Sequence, residues 1–87
     1  MQDDIIIATM IRRLRRERNV SQAQIATVLS LPQPVISKIE RSERRVALGE
    51  LRLICELLGV PLVNFVAEYQ TQVETAGTSA FGEGRTP

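Results

Sequence analysis

The chain contains no histidine. That removes the side chain most often used for proton transfer near neutral pH, and a common metal ligand. Its single cysteine, Cys55, excludes an internal disulfide framework and fits a reducing cytosol. No base is expected beside that thiol. No glycine-rich phosphate loop follows a strand, and no cluster of residues has metal-ligand spacing. Catalysis, a cofactor and a bound metal are therefore not expected. Apolar runs stop far short of the about 20 residues that span a bilayer, so no membrane segment is expected. Asp3 and Asp4 stand before Ile5, Ile6 and Ile7, where a secretory signal carries basic residues, which points to the cytoplasm. There is no internal repeat.

What is present fits one small helical domain. Eighty-seven residues leave no room for a second domain, and a hydrophobic content of 44% suffices for a small core. Net charge is only +1, but it is unevenly spread. From Ile11 to Arg52 ten basic residues stand against four acidic ones, an excess of +6. After Arg52 four glutamates stand against Arg85, an excess of −3. The basic segment suits a polyanionic partner. For the arginines between 12 and 18, a solvated helix face is the alternative.

The pattern predicts five helices. Residues 1–4 read as a frayed end. The first helix covers about Ile5 to Arg18, with Ile7, Met10, Ile11 and Leu14 on its apolar face and Asn19 as its stop. Ile5 and Ile6 cannot both face one core. Ser21, with Gln24 three residues on, is a capping-box pattern for a helix over Gln22 to Leu29. Ala26, Val28 and Leu29 are its expected inward residues. The third helix runs from Gln33 to about Arg41 with Pro34 in its first turn, where a missing N–H costs nothing. Its apolar residues are Val35, Ile36 and Ile39. The fourth covers Leu48 to Leu58, with Leu48, Leu51, Ile54, Cys55 and Leu58 inward and Gly59 as C-terminal cap. The fifth begins at Leu62 and reaches Tyr69 or Val73. The compact region is thus 5–73, and 74–87 reads as a flexible tail in which Phe81 is the one large apolar group.

Several motifs in order carry a family resemblance. They are Ile11 with Leu14-Arg15, Ser21-Gln22 with Ile25-Ala26, Val35-Ile36-Ser37 with Ile39-Glu40-Arg41, and Leu51 through Leu58-Gly59-Val60 to Leu62. Over about 55 of the 87 residues the chain resembles the Cro and lambda-repressor (XRE-type) helix-turn-helix family. The resemblance implies an all-α, five-helix domain that binds double-stranded DNA as a homodimer, with the third helix in the major groove and the second across the backbone. Four departures stand out. Ser30 and Ser42 occupy turns where the family often has glycine. Pro32 replaces the usual Ser or Thr cap. Arg44 and Arg45 stand in a loop that usually carries proline.

The resemblance also distributes roles. Gln33 matches the glutamine that reads adenine, whose N7 accepts and N6 donates to an amide. Gln22 matches one that contacts phosphate and steadies the reading glutamine. Pro34 and Val35 face thymine methyls in this scheme, though Val35 equally suits the core. Ser37 and Lys38 follow on the outer face, with Lys38 reaching guanine or phosphate. Arg41, Arg44 and Arg45 are expected at phosphates or a narrow minor groove. Arg15 and Glu40 match a structural ion pair between the first and third helices. Val63, Val66, Tyr69 and Val73 form the expected dimer surface, with Ile5 and Ile6 as a rival.

The functional expectation is a dimeric, sequence-specific transcription regulator, most simply a repressor of a bacterium or phage acting at the nucleoid. No ligand-sensing or protease-like domain is expected. One alternative is an antitoxin that represses its own operon and binds a toxin, a further protein partner, through helix 5 or the tail. The other is a protein-interaction module without specific DNA contact.

Overall fold

The computed structural model describes residues 2–77, which form five helices. α1 spans Gln2–Glu17, α2 Gln22–Leu29, α3 Gln33–Glu40, α4 Leu48–Leu58 and α5 Leu62–Ala76. The chain is all-α, as its periodicity predicts. Among the described residues no helix is long and apolar enough to cross a membrane.

α1 starts three residues earlier than expected. The segment at 2–4 is helical rather than frayed, because Asp3 and Asp4 lie in the first turn, where negative charge complements the helix dipole. Both aspartates also have tertiary partners. The Tyr69 hydroxyl donates to Asp3 Oδ2 at 2.5 Å, and Asp4 pairs with Arg45 at 3.4 Å. Ile6 is buried and Ile5 is 54% exposed, so the adjacent pair divides between core and surface.

Four helices end in the same way. Asn19, Ser30, Ser42 and Gly59 adopt positive φ of 56°, 55°, 62° and 73°. The next amide bonds back five residues each time: Val20 to the Arg15 carbonyl, Leu31 to Ala26, Glu43 to Lys38 and Val60 to Cys55, all at 2.8–3.0 Å. This is the Schellman closure, which satisfies carbonyls the helix leaves open. Glycine supplies the left-handed residue only at Gly59, so the other three carry the steric cost of a side chain there. α2 begins with a full capping box. Ser21 Oγ accepts from the Gln24 amide at 3.0 Å, and the Ser21 amide donates to Gln24 Oε1 at 2.8 Å.

The core draws on every helix. Met10, Ile11, Ile25, Ile36, Ile54, Cys55 and Phe65 are its most buried side chains. α2 packs on α3 and α4, α1 on α3 and α5, and α4 on α5. α3 therefore rests on both α1 and α2, which leaves its opposite face outward. Three expectations are corrected. Val28 is 37% exposed, because it lies about a quarter turn from the Ile25–Ala26–Leu29 stripe that packs inward. Leu48 is 68% exposed, one turn beyond the edge of the core that Leu51, Ile54, Cys55 and Leu58 reach. α5 continues through residues 74–76 instead of stopping by Val73. One side-chain bond reaches into that last stretch: Gln70 Nε2 donates to Glu74 Oε2 at 3.4 Å. The helix closes at Gly77, φ 71°. The expected tail from 78 onward, with Phe81, lies outside the described residues.

Candidate nucleic-acid interface

A polar network fixes α3 against α1 and α2. Arg15 Nε donates to Glu40 Oε2 at 2.6 Å, and Arg15 Nη2 donates to Glu40 Oε1 at 3.1 Å, a bidentate pair. Arg15 Nη1 also donates to the Val20 carbonyl at 3.0 Å. Gln22 Nε2 donates to Glu40 Oε1 at 3.1 Å, while Gln22 Oε1 accepts from Ser37 Oγ at 2.9 Å. Glu40 is buried, and its charge is fully partnered. Among the described residues no buried side-chain nitrogen or oxygen lacks a partner. The network joins three helices through one carboxylate, and it sets the tilt of α3.

Outside this network Gln33, Pro34 and Lys38 are exposed along the free face of α3. With Ser37 and Arg41 they line one open hollow. No side chain caps the α3 N-terminus, because Pro32 has no oxygen to offer. Val35 is half-buried, between the core and this face. Ser37, expected at DNA, lines this hollow and donates its hydroxyl to Gln22, which leaves its oxygen lone pairs as acceptors.

The loop arginines are not free cations. Arg41 forms a two-pronged pair with Glu43 at 3.0 and 3.1 Å, both side chains exposed. That hydrogen bond holds the Glu43 carboxyl below the usual range. Arg44, expected at a phosphate, is instead clamped to Glu50 by two bonds of 3.0 Å and so ties the loop to α4. Glu50 also accepts from the Ala47 amide at 2.9 Å. The Arg44 fork first, and that amide second, lower the Glu50 carboxyl. Arg45 is exposed beside Asp4. The sequence hides these acidic partners because each meets its arginine only through the loop's path or the docking of α1.

A second feature escaped the sequence reading. A groove of about 220 Å3 lies between α1 and α3, lined by Arg12, Arg16, Gln22, Ser37 and Arg41 among others. Position on an arginine-rich helix was the only available sign of Arg12 and Arg16. The neighbouring arginines on α1 obscured which of them face the groove.

On α5, Val63 is 74% exposed and Val66 39%, while Tyr69 is half-buried and bonded to Asp3. That bond raises the Tyr69 hydroxyl pKa above its ordinary value. Val73 is corrected from the expected dimer surface: it is buried and belongs to the core cluster, so the chain's own fold covers it. Burial likewise raises the Cys55 thiol pKa.

A family model described as Helix-turn-helix matches residues 11–65. Among solved structures, a point mutant of the restriction-modification controller protein C.Esp1396I is 26% identical, with a TM-score of 0.73 over 84% of this chain and 92% of that one. The clp gene regulator ClgR from Corynebacterium glutamicum is 17% identical, with a TM-score of 0.75 over 86% of this chain and 80% of that one, a likeness of fold. A search of curated proteins gave no match.

Proposed function

The chain belongs to the Cro and lambda-repressor (XRE-type) helix-turn-helix family and is a DNA-binding transcription regulator; from that premise we propose that it is a homodimeric repressor reading an inverted-repeat operator through α3. The observation that carries the reading is the Arg15–Glu40–Gln22–Ser37 network. It holds α3 on two other helices and leaves Gln33, Pro34 and Lys38 outward on a rigid base. A reading helix needs that combination, since base-edge hydrogen bonds tolerate little positional error. In this scheme the Gln33 amide pairs with adenine N6 and N7. Pro34 and Val35 approach thymine methyls, and Lys38 reaches guanine. Arg41 and Arg45, themselves exposed, exchange their carboxylate partners Glu43 and Asp4 for phosphates. Such exchange is easy, because exposed ion pairs contribute only about 0–1 kcal/mol. Gln22 steadies the site from behind.

Val63, Val66 and the outer edge of Tyr69 supply the pairing surface, with Ile5 as the other candidate. Two-fold pairing places half-site centres about one helical turn, or a small multiple, apart.

The test is selection of bound sequences from a random duplex pool at near-physiological salt. An inverted repeat with A·T pairs in each half-site is expected, and Gln33→Ala should relax preference at those pairs. Salt-sensitive binding without any enriched motif would sink the operator reading and favour an interaction module. The exposure of Val63 also favours a second reading, an antitoxin that seats its toxin on α5. Sedimentation of the chain alone separates the two. A concentration-dependent dimer supports the first, and a monomer at high micromolar concentration leaves that face for a different protein.

A further inference from the structure

We propose that the groove between α1 and α3 seats a phosphate of the DNA backbone, held by the guanidinium groups of Arg12 and Arg16. The inference rests on the DNA-binding reading and extends its footprint to α1. It begins with the pairing of charges. Ten basic side chains lie within residues 2–77. Seven have a carboxylate partner: Arg13 with Glu68, Arg15 with Glu40, Arg18 with Glu17, Arg41 with Glu43, Arg44 with Glu50, Arg45 with Asp4 and Arg52 with Glu56. Among the described residues, the three without one are Arg12, Arg16 and Lys38.

These three are not scattered. Arg12 and Arg16 line the α1–α3 groove, and Lys38 lines the hollow that also holds Gln33. The groove and the hollow share Ser37 and Arg41, so they form one continuous surface. The unpaired positive charge of the described residues thus gathers beside the reading face. Arg12 and Arg16 stand four residues apart on one helix face, where like charges repel. An anion between them relieves that repulsion. The groove's own acid does not oppose it, because Glu40 is neutralised by Arg15 and bonded to Gln22. A solvated arginine face, the ordinary alternative, has no reason to select the two arginines that share a groove with α3.

The experiment measures affinity of the full chain for its selected duplex and for an unrelated duplex, across a salt series. Arg12→Gln and Arg16→Gln are compared with Arg13→Gln, which removes the same charge from the same helix outside the groove. Each phosphate contact adds about 0.9 to the slope of log K against log salt, or about fivefold in affinity at 0.15 M. Each groove variant should therefore lose about one unit of slope and about fivefold on both duplexes, while Arg13→Gln stays near wild type. Equal slopes for wild type and the groove variants would overturn the phosphate seat and leave the operator reading intact. An equal loss in Arg13→Gln would reduce the effect to overall charge and overturn it too. A loss confined to the selected duplex would make the arginines base readers instead. Absence of duplex binding by the wild-type chain would overturn the DNA reading and this inference with it.

Discussion

Ser30 and Ser42 each sit at positive φ in a helix-closing turn, and neither hydroxyl makes a hydrogen bond within the described residues. A left-handed conformation costs a side-chain-bearing residue about 1–2 kcal/mol, against about 0.4–1 kcal/mol of extra chain entropy that glycine loses on folding. Ser30→Gly and Ser42→Gly should therefore each stabilise the fold by up to about 1 kcal/mol and raise the melting temperature by several degrees. Thermal unfolding checks this, and a lowered midpoint would mean that the serines have a partner beyond these turns. The sequence marked both positions, as serines where the resembled family often has glycine. It could not give the backbone angle, because serine is ordinary in right-handed turns as well. Arg44 shows the opposite case. Its type and place suggested phosphate, yet Glu50, six residues on, takes both prongs of its fork. A one-dimensional pattern cannot separate those uses, since a carboxylate and a phosphate present guanidinium with the same geometry.

Between α3 and α4 the Arg44–Glu50 clamp substitutes for a cap. Ala47 precedes α4 without a capping oxygen, and Glu50 accepts from its amide in place of the full box. The Glu50 carboxyl is lowered in the folded chain, chiefly by Arg44. Its contribution is therefore present above the ordinary glutamate pKa of about 4.3, and it fades as pH falls through the lower folded value. Denaturant titrations at pH 7 and at about pH 3 should show Glu50→Gln losing stability at neutral pH while losing less than wild type on acidification. Parallel acid losses in the two proteins would place the acid sensitivity elsewhere. Helix limits were legible where the chemistry is local. The Ser21–Gln24 box and Gly59 mark α2 and α4 directly. The ends of α1 and α5 are not legible in the sequence because what holds them is partly tertiary: Asp3 and Asp4 reach Tyr69 and Arg45, and the polar last turns of α5 offer no apolar rhythm to follow.

Across the whole molecule, the first and last helices are bound to each other. Tyr69 meets Asp3, Arg13 pairs with Glu68, and Ile6, Met10 and Phe65 share the core. The Tyr69 hydroxyl pKa is raised in the folded state by the bond to Asp3. That contribution is complete below the unfolded value of about 10 and is lost as pH climbs through the folded one. Tyr69→Phe should thus be less stable than wild type at neutral pH, and the gap should narrow above about pH 10. A gap that stays constant with pH would exclude the hydroxyl as its source. The uneven charge was readable from composition alone, but its sorting into paired and unpaired cations needed the fold. The closure of α1 on α5 also bears on how the chain is made. A ribosome adds about 5–20 residues each second, N-terminus first. For some seconds after α3 emerges, Ile6 and Met10 have no α5 to cover them. During that interval their apolar surface is open to aggregation, and the exposure ends only when α5 docks.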